Sequence, residues 1–314
     1  MMRGYHQDTT WQEMQRFLPA ENRLNEQNLP REYFLKLGRF HLHIDHYETK
    51  DPTARLILLH GAGGNGRLLS SIALPLQRAG IDVICPDLPL YGHSEYIGKI
   101  VYEDWIECGK RLVQHYQRQD DKATFLMGLS VGGMLACHIA AASQNISGVI
   151  ATCLLDQHED EVLEQIVLHP LFAKIGRPAM AIFHKPFGSL HFPLKWVSKM
   201  NAISNHQELN RLLLKDKTSS GVSVPLEFMH TMISTKNRIR PEEFSVCPIL
   251  LAHPGADRWT DVSLSRKFFD RLSCEKEFVL LEGAGHFPIE EIGAKKLEKA
   301  CIEFIRKNSP KTDL

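Results

Sequence analysis

Six short apolar runs set the strongest limit on what this chain can fold into: Leu56–Leu59, Ile81–Cys85, Thr124–Met127, Val149–Cys153, Ile249–Ala252 and Phe278–Leu281. Strands covered on both faces have this continuous apolar character. Between the runs lie stretches with helical periodicity, among them Trp105–Tyr116, Gly133–Ala142 and Lys295–Ile305. Such alternation predicts an α/β fold, a mainly parallel sheet covered by helices. Ahead of the first run, Phe40, Leu42 and Ile44 alternate with Arg39, His41, His43 and Asp45 beyond Gly38. That period of two predicts an antiparallel strand pair over residues 33–47, with His41 and His43 on an exposed face. Residues 1–30 read as a polar, helical lead-in that ends at Pro30.

One stretch, residues 156–244, interrupts the rhythm. It has no clear buried strand and is punctuated by Pro170, Pro178, Pro186, Pro193 and Pro225. It is expected to be a helical insertion between two parts of one core, 31–155 and 245–314. An insertion after the C-terminal end of a strand sits where open α/β sheets bind ligands, so a lid or cap over the site is expected.

Composition removes several function classes. The chain carries 37 basic and 37 acidic side chains, a formal charge of zero. It lacks the positive field that draws a protein to phosphate, so no nucleic-acid partner is expected. No stretch reaches the roughly eighteen uninterrupted apolar residues of a membrane span. The N-terminal MMRGYHQDTTWQEM has no apolar core of a secretory signal. The cysteines, at 85, 108, 137, 153, 247, 274 and 301, are odd in number, far apart and without C-x-x-C. Reduced thiols in a cytoplasmic protein are expected, not a disulfide framework. The histidines are scattered without the clustered spacing of a ligand set, so no metal is expected. None of these features sets an oligomeric state.

The chemistry is concentrated in four loops, each at the end of an apolar run. Gly128-Leu129-Ser130-Val131-Gly132 lies between the run Thr124–Met127 and a helical stretch. This is G-x-S-x-G in a strand–turn–helix context, where a tight turn lifts a nucleophilic Ser130 above the sheet edge and aims the Val131 N–H at the helix start. A serine nucleophile needs a base, and the base needs an orienting acid. His286, in Gly283-Ala284-Gly285-His286-Phe287 beyond the last run, is the expected base. Asp257, beyond the run Ile249–Ala252, is the expected acid, and the order Ser130, Asp257, His286 is nucleophile–acid–base. Asp156, at the head of the insertion, is the competing acid. Asp261 is expected to cap the next helix. The glycine-rich turn His60-Gly61-Ala62-Gly63-Gly64-Asn65-Gly66 follows the first run. It would place the N–H of Ala62 opposite that of Val131, as an oxyanion hole.

The same turn spells G-x-G-x-x-G through Gly61, Gly63 and Gly66, with Asp87 about 20 residues on, as in a dinucleotide-binding fingerprint. That reading leaves Ser130, Asp257 and His286 without a role, and a strand pair precedes the supposed first strand. No cofactor is therefore expected.

With these motifs in place, the chain resembles the α/β-hydrolase superfamily, in its lysophospholipase and monoacylglycerol-lipase-like branch. The resemblance covers roughly residues 31–155 and 245–307. It rests on His60–Gly66, Pro86-Asp87-Leu88-Pro89-Leu90-Tyr91-Gly92-His93-Ser94, Gly128–Gly133, Gly255–Asp257 and Gly285-His286. It departs from the family at Leu90, where a glycine is usual. Serine at position 130 argues against the dehalogenases and epoxide hydrolases of this superfamily, whose nucleophile is a carboxylate. The resemblance implies an eight-stranded, mostly parallel sheet with helices on both faces and a helical cap. It also implies hydrolysis of a small carboxylic ester through an acyl-enzyme on Ser130.

The cap stretch is dense in large apolar residues: Phe172, Met180, Phe183, Phe187, Phe192, Trp196, Met200, Phe228, Met229 and Met232. Part of them is expected to roof the pocket and favour medium-chain acyl groups, as in a monoacylglycerol or a lysophospholipid. Lys185, His191, Lys195 and Lys199 would keep the rim wet or attract an anionic head group. Three other readings stay open. An aminopeptidase or amidase on the same fold would use Glu159-Asp160-Glu161 to hold a substrate ammonium, though solvated helix charges also account for that run. The other two are a dinucleotide-binding protein and a hydrolase fold kept for binding without turnover.

Overall fold

The computed structural model describes residues 4–310, with the side chains of His6 and of residues 170–173 outside the description. The strands are β1 (Arg31–Leu37), β2 (Phe40–Tyr47), β3 (Ala54–Leu59), β4 (Ile81–Pro86), β5 (Glu95–Tyr96), β6 (Thr124–Gly128), β7 (Ile146–Ala151), β8 (His191–Pro193), β9 (Ser223–Pro225), β10 (Ile249–Pro254) and β11 (Lys276–Leu281). The helices are α1 (Thr9–Met14), α2 (Ser70–Arg78), α3 (Tyr102–Gln117), α4 (Val131–Ala142), α5 (Asp160–Ile166), α6 (Pro170–Phe187), α7 (Leu194–Val197), α8 (Gln207–Lys215), α9 (Leu226–Ile233), α10 (Val262–Phe269) and α11 (Glu291–Asn308).

Eight strands form one path in the order β1-β2-β4-β3-β6-β7-β10-β11, and the two-residue β5 adds a ninth against β2. β1, β2 and β4 pair antiparallel; from β4 to β11 the pairing is parallel. Strand order reverses at β3, whose two neighbours are β4 on one side and β6 on the other. The crevice outside the carboxyl ends of β3 and β6 is therefore the switch point at which such sheets bind ligands. β3, β4 and β6 are buried throughout, as continuous apolar runs require. β11 differs. It is an edge strand whose Phe278 and Leu280 stay partly exposed, because no strand among the described residues pairs beyond it.

The exposed face expected for His41 and His43 is corrected. His41 is half-buried, but His43 is only 1% exposed and Asp45 is fully buried. The reason is the N-terminal segment, which is far from an all-polar lead-in. Asp8 caps α1 by accepting from the N–H groups of Thr10 and Trp11, and α1 turns Trp11 and Met14 into the core. The Tyr5 ring packs edge-on against His43. Buried carboxylates here need partners. Arg67 supplies one, donating from Nε to Asp45 Oδ2 at 2.6 Å and from Nη2 to Asp45 Oδ1 at 2.9 Å.

Residues 156–244 stand outside the main sheet, in α5 to α9. They are not wholly helical, however: β8 and β9 pair antiparallel as a separate ribbon, with Phe192 opposite Val224. Each of these two residues precedes a proline, which biases its backbone toward the extended form. Each proline then opens a helix, Pro193 into α7 and Pro225 into α9.

Helix α4 carries a pH liability. His138 on α4 is buried with Nδ1 3.1 Å from the Tyr102 hydroxyl, and burial lowers its pKa from 6.5 to about 4. The unfolded chain then binds a proton that the folded one refuses. The neutral-His138 contribution is therefore full above pH 6.5 and lost as pH falls toward 4, about 3 kcal/mol in all. Urea midpoints at pH 7 and pH 4.5 should fall less for His138→Gln than for the wild type.

Candidate active site

The nucleophile loop is built by strain that its neighbours make possible. Ser130 has φ 55° and ψ −126°, an unusual conformation for a residue with a Cβ. It is held there by its N–H, which donates to Thr152 Oγ1 at 3.1 Å, and by the Gly133 N–H, which donates to its carbonyl at 2.9 Å. A Cβ on Gly128 would lie 1.9 Å from the Gly132 carbonyl oxygen, so no larger residue fits. Val131 is the first residue of α4, and its N–H is among those that a helix start leaves without an intrahelical acceptor.

Facing it, the turn after β3 closes through the Gly64 N–H, which donates to the Gly61 carbonyl at 3.1 Å. Gly63 sits at φ 81°, the left-handed third position that only glycine takes freely. His60 locks this turn. The Leu88 N–H donates to its Nε2 at 2.9 Å, so its proton is on Nδ1, which donates to the Gly61 carbonyl at 2.8 Å. Burial lowers the His60 pKa and keeps that neutral tautomer. The Gly61 carbonyl and the Ala62 N–H belong to one trans peptide, so pinning the carbonyl aims the N–H the opposite way.

Asp257 and His286 are brought together. The imidazole Nδ1–H donates to Asp257 Oδ2 at 2.7 Å. Asp257 also accepts from the N–H of Trp259 at 2.7 Å, from the N–H of Thr260 at 3.0 Å and from Thr260 Oγ1 at 2.8 Å. Burial alone would push its carboxyl up; the hydrogen bonds and charge of His286, with the two N–H donors, outweigh this and hold it below the usual range. His286 Nε2 is buried with no protein hydrogen-bond partner. Ser130, Ala62 and His286 line one small cavity of about 40 Å³.

Asp156 is elsewhere. It accepts from the N–H and Nδ1 of His158 at 3.0 and 2.9 Å and from Arg238 at 3.0 Å. Burial raises its pKa, but these partners lower it further, to about 2. None of its hydrogen bonds reaches His286. Asp261 caps α10, accepting from the Ser263 N–H at 2.9 Å.

A larger cavity of about 300 Å³ also takes in Ser130, with Ala62 and Val131 among its lining residues. Met180, Phe192, Trp196, Met229 and Met232 line it, all from the insertion. Of the other apolar residues of that stretch, Met200 and Phe228 are buried in the core, Phe183 and Phe187 face outward, and Phe172 lies outside the described side chains. The acidic run is occupied: Glu159 pairs with Arg238, Asp160 with Arg177 and Glu161 with Lys267. None of the three lines the cavity.

The dinucleotide reading fails on Asp87, which is fully buried. Its carboxylate accepts from the N–H of Gly66 at 2.7 Å, the N–H of His93 at 2.8 Å and the Tyr5 hydroxyl at 2.9 Å. It also lies 3.1 Å from His43 Nδ1. It braces the glycine-rich turn and cannot reach a ribose. Leu90, which stands where the family has glycine, keeps a left-handed backbone at φ 88°.

Among the described residues, two groups of side chains offer metal-ligand atoms within 4.8 Å of one another. In Cys153, Asp257 and His286, burial pushes the thiol up, away from the thiolate a metal takes, and Asp257 Oδ2 is already bound to His286. In Glu32, His43 and Asp45, the Arg67 guanidinium already pairs with both carboxylates. Neither donor set fits a cation.

The sequence reading names His60 only as the head of the glycine-rich motif, without its tautomer-locking role, and it missed Thr260 and Trp259, which shape the base. The Trp259 ring lies 4.7 Å from the His286 ring, and its Nε1–H donates to the Ile166 carbonyl at the end of α5 at 3.2 Å. The indole thereby ties the base to the insertion.

Residues 50–292 match the Hydrolase_4 family, described as serine aminopeptidase, S33. The chain belongs to this family. Among curated relatives, it is 21% identical to a thermostable monoacylglycerol lipase of Bacillus sp. (strain H-257), over 84% of this chain and 94% of that one. A shorter match, 32% over 96 residues, covers 30% of this chain and 34% of a pimeloyl-[acyl-carrier protein] methyl ester esterase of Vibrio vulnificus. Among solved structures, a soluble variant of the Saccharomyces cerevisiae monoglyceride lipase superposes with a TM-score of 0.75 at 15% identity, covering 93% of this chain and 99% of that one. A Bacillus coagulans carboxyl esterase gives 0.68 at 15% identity, over 88% and 98%. The fold is thus that of the α/β-hydrolases. Among the described residues, no helix is long and apolar enough to cross a membrane.

Proposed function

We propose that this S33-family chain is a serine hydrolase of carboxylic esters with a medium-length acyl chain, of the monoacylglycerol or lysophospholipid kind. The observation that carries the reading is the His286–Asp257 pair: its Nε2 has no hydrogen-bond partner, and His286 lines the small cavity together with Ser130. His286 Nε2 takes the proton of Ser130 as Oγ attacks the ester carbonyl. Negative charge develops on the carbonyl oxygen, between the N–H groups of Ala62 and Val131, where fixed donors lower the barrier by several kcal/mol. The protonated His286 then gives its proton to the leaving alcohol. Water, deprotonated by the same nitrogen, releases the acid and frees Ser130. Asp257 holds Nδ1–H throughout and steadies the imidazolium. No metal or organic cofactor enters these steps.

Residues 156–244 act in this reading as a cap over the hydrolase core, 31–155 and 245–314, and the acyl chain lies in the cavity that they roof. The seven unpaired cysteines support a cytoplasmic location. None of the acidic run's carboxylates lines the cavity, which favours an ester over a substrate ammonium.

Each methylene buried in an apolar cavity gains about 0.8 kcal/mol, so kcat/KM should rise from acetyl to octanoyl p-nitrophenyl esters by up to about fourfold per methylene. A flat or falling series would show that the cavity does not hold the acyl chain. Turnover of aminoacyl anilides without turnover of esters would overturn the ester reading itself.

A further inference from the structure

Five of the described side chains that line the larger cavity at Ser130 carry a hydroxyl, an amide or a charge: Ser130, Gln157, Arg177, Ser198 and Thr260. Three of them are taken. Thr260 Oγ1 donates to Asp257 at 2.8 Å, Ser198 Oγ to the Ile166 carbonyl at 3.3 Å, and Arg177 Nη1 to Asp160 at 3.0 Å. Ser130 is the nucleophile of the reading above. Gln157 is left, and it is only 8% exposed. Its main-chain carbonyl accepts from Arg177 Nη2 at 2.8 Å, but its side-chain amide makes no hydrogen bond among the described residues. An amide shut away from water stays unfavourable until something pairs with it.

The backbone that carries this amide is held still. Gln157 is the second residue of a turn closed by the Glu159 N–H, which donates to the Asp156 carbonyl at 3.0 Å, and by the His158 N–H, which donates to Asp156 Oδ1 at 3.0 Å. Arg238 grips Asp156 at 3.0 Å, and Arg177 grips the carbonyls of Gln157 and His158 at 2.8 and 3.1 Å. A fixed polar group in an apolar cavity selects ligands by what it can pair with. Charge is balanced around it: Arg177 is paired with Asp160, and Arg238 with both Asp156 and Glu159. No cation is left over for a carboxylate, so the site suits a neutral oxygen. A hydroxyl group answers both the donor and the acceptor of the amide. Gln157 does not line the small cavity with His286, which serves the leaving alcohol, so the amide faces the acyl part.

We propose that Gln157 is a specificity-determining residue for an acyl chain that carries a hydroxyl group, with Nε2–H donating to the hydroxyl oxygen and Oε1 accepting its proton. In this assignment, which rests on the ester hydrolysis proposed above, a plain fatty acyl chain leaves the amide unpaired and is the poorer substrate.

Ethyl esters of octanoate and of 3-, 5- and 7-hydroxyoctanoate test it, in turnover by the wild type and in calorimetric binding to Ser130→Ala. One hydroxylated ester should exceed ethyl octanoate in kcat/KM by about tenfold or more, and bind Ser130→Ala tighter by a similar factor. Gln157→Met, which keeps the chain length and removes no protein hydrogen bond, should cut that preference to about twofold or less without lowering the melting temperature. Turnover of ethyl octanoate with no preference for any hydroxylated ester overturns the role of Gln157 and leaves the ester reading standing. No turnover of any ester overturns that reading, and binding to Ser130→Ala then decides the hydroxyl by itself. A preference that Gln157→Met keeps, or one shown only for monooctanoylglycerol over ethyl octanoate, assigns the recognition to another residue or to the leaving group and overturns the proposal. So does a stronger preference for monoethyl suberate, whose acyl chain ends in a carboxylate.

Discussion

Ser130→Ala should fold as the wild type does and lose turnover of p-nitrophenyl esters by a factor on the order of 10⁴ or more. Alanine keeps the Cβ, so the strained turn at φ 55° is no worse occupied than before, and the N–H bond to Thr152 is untouched. What disappears is the oxygen that His286 would activate. The measurement is kcat/KM beside a thermal unfolding curve. An unshifted melt with activity near background fits the mechanism, and a variant of full activity contradicts it.

The two acidic candidates should separate just as clearly. Asp257→Asn is expected to reduce kcat by about 10³–10⁴, because an amide in that position stabilises the wrong imidazole tautomer and no longer balances the imidazolium. Its neighbours would still present donors from Trp259, Thr260 and the Thr260 hydroxyl, leaving the amide oxygen alone to satisfy them. Asp156→Asn weakens contacts to His158 and Arg238, a partly exposed cluster remote from the base, so activity should change by a few-fold at most. Reversal of this order would move the acid role to Asp156.

Much of this site is legible in the sequence because each part is a local backbone device. A serine between small residues after a buried strand, a glycine-rich turn and a histidine after the last run all follow from short-range geometry. In the sequence the choice between Asp257 and Asp156 rests on chain order alone; in the fold it is Asp257 that lies 2.7 Å from His286 Nδ1. What the sequence concealed depends on distant segments. His43 and Asp45 alternate like a solvent face, yet Tyr5, Trp11 and Arg67 come from elsewhere to cover them. Asp87 sits at fingerprint spacing from Gly66, and only the fold shows its carboxylate turned onto that glycine's N–H. His60 opens the glycine-rich motif, but its part in the turn shows only where the Leu88 N–H fixes its tautomer. The ribbon of β8 and β9 is three residues a side, too short for any periodicity to register.

Reaction of the whole protein with a fluorophosphonate, followed by mass analysis of its peptides, bears most directly on Ser130 as an activated nucleophile. The account predicts a single phosphonyl adduct on Ser130, absent in Ser130→Ala and formed far more slowly in Asp257→Asn. An unmodified Ser130 in protein that still turns over esters would contradict it.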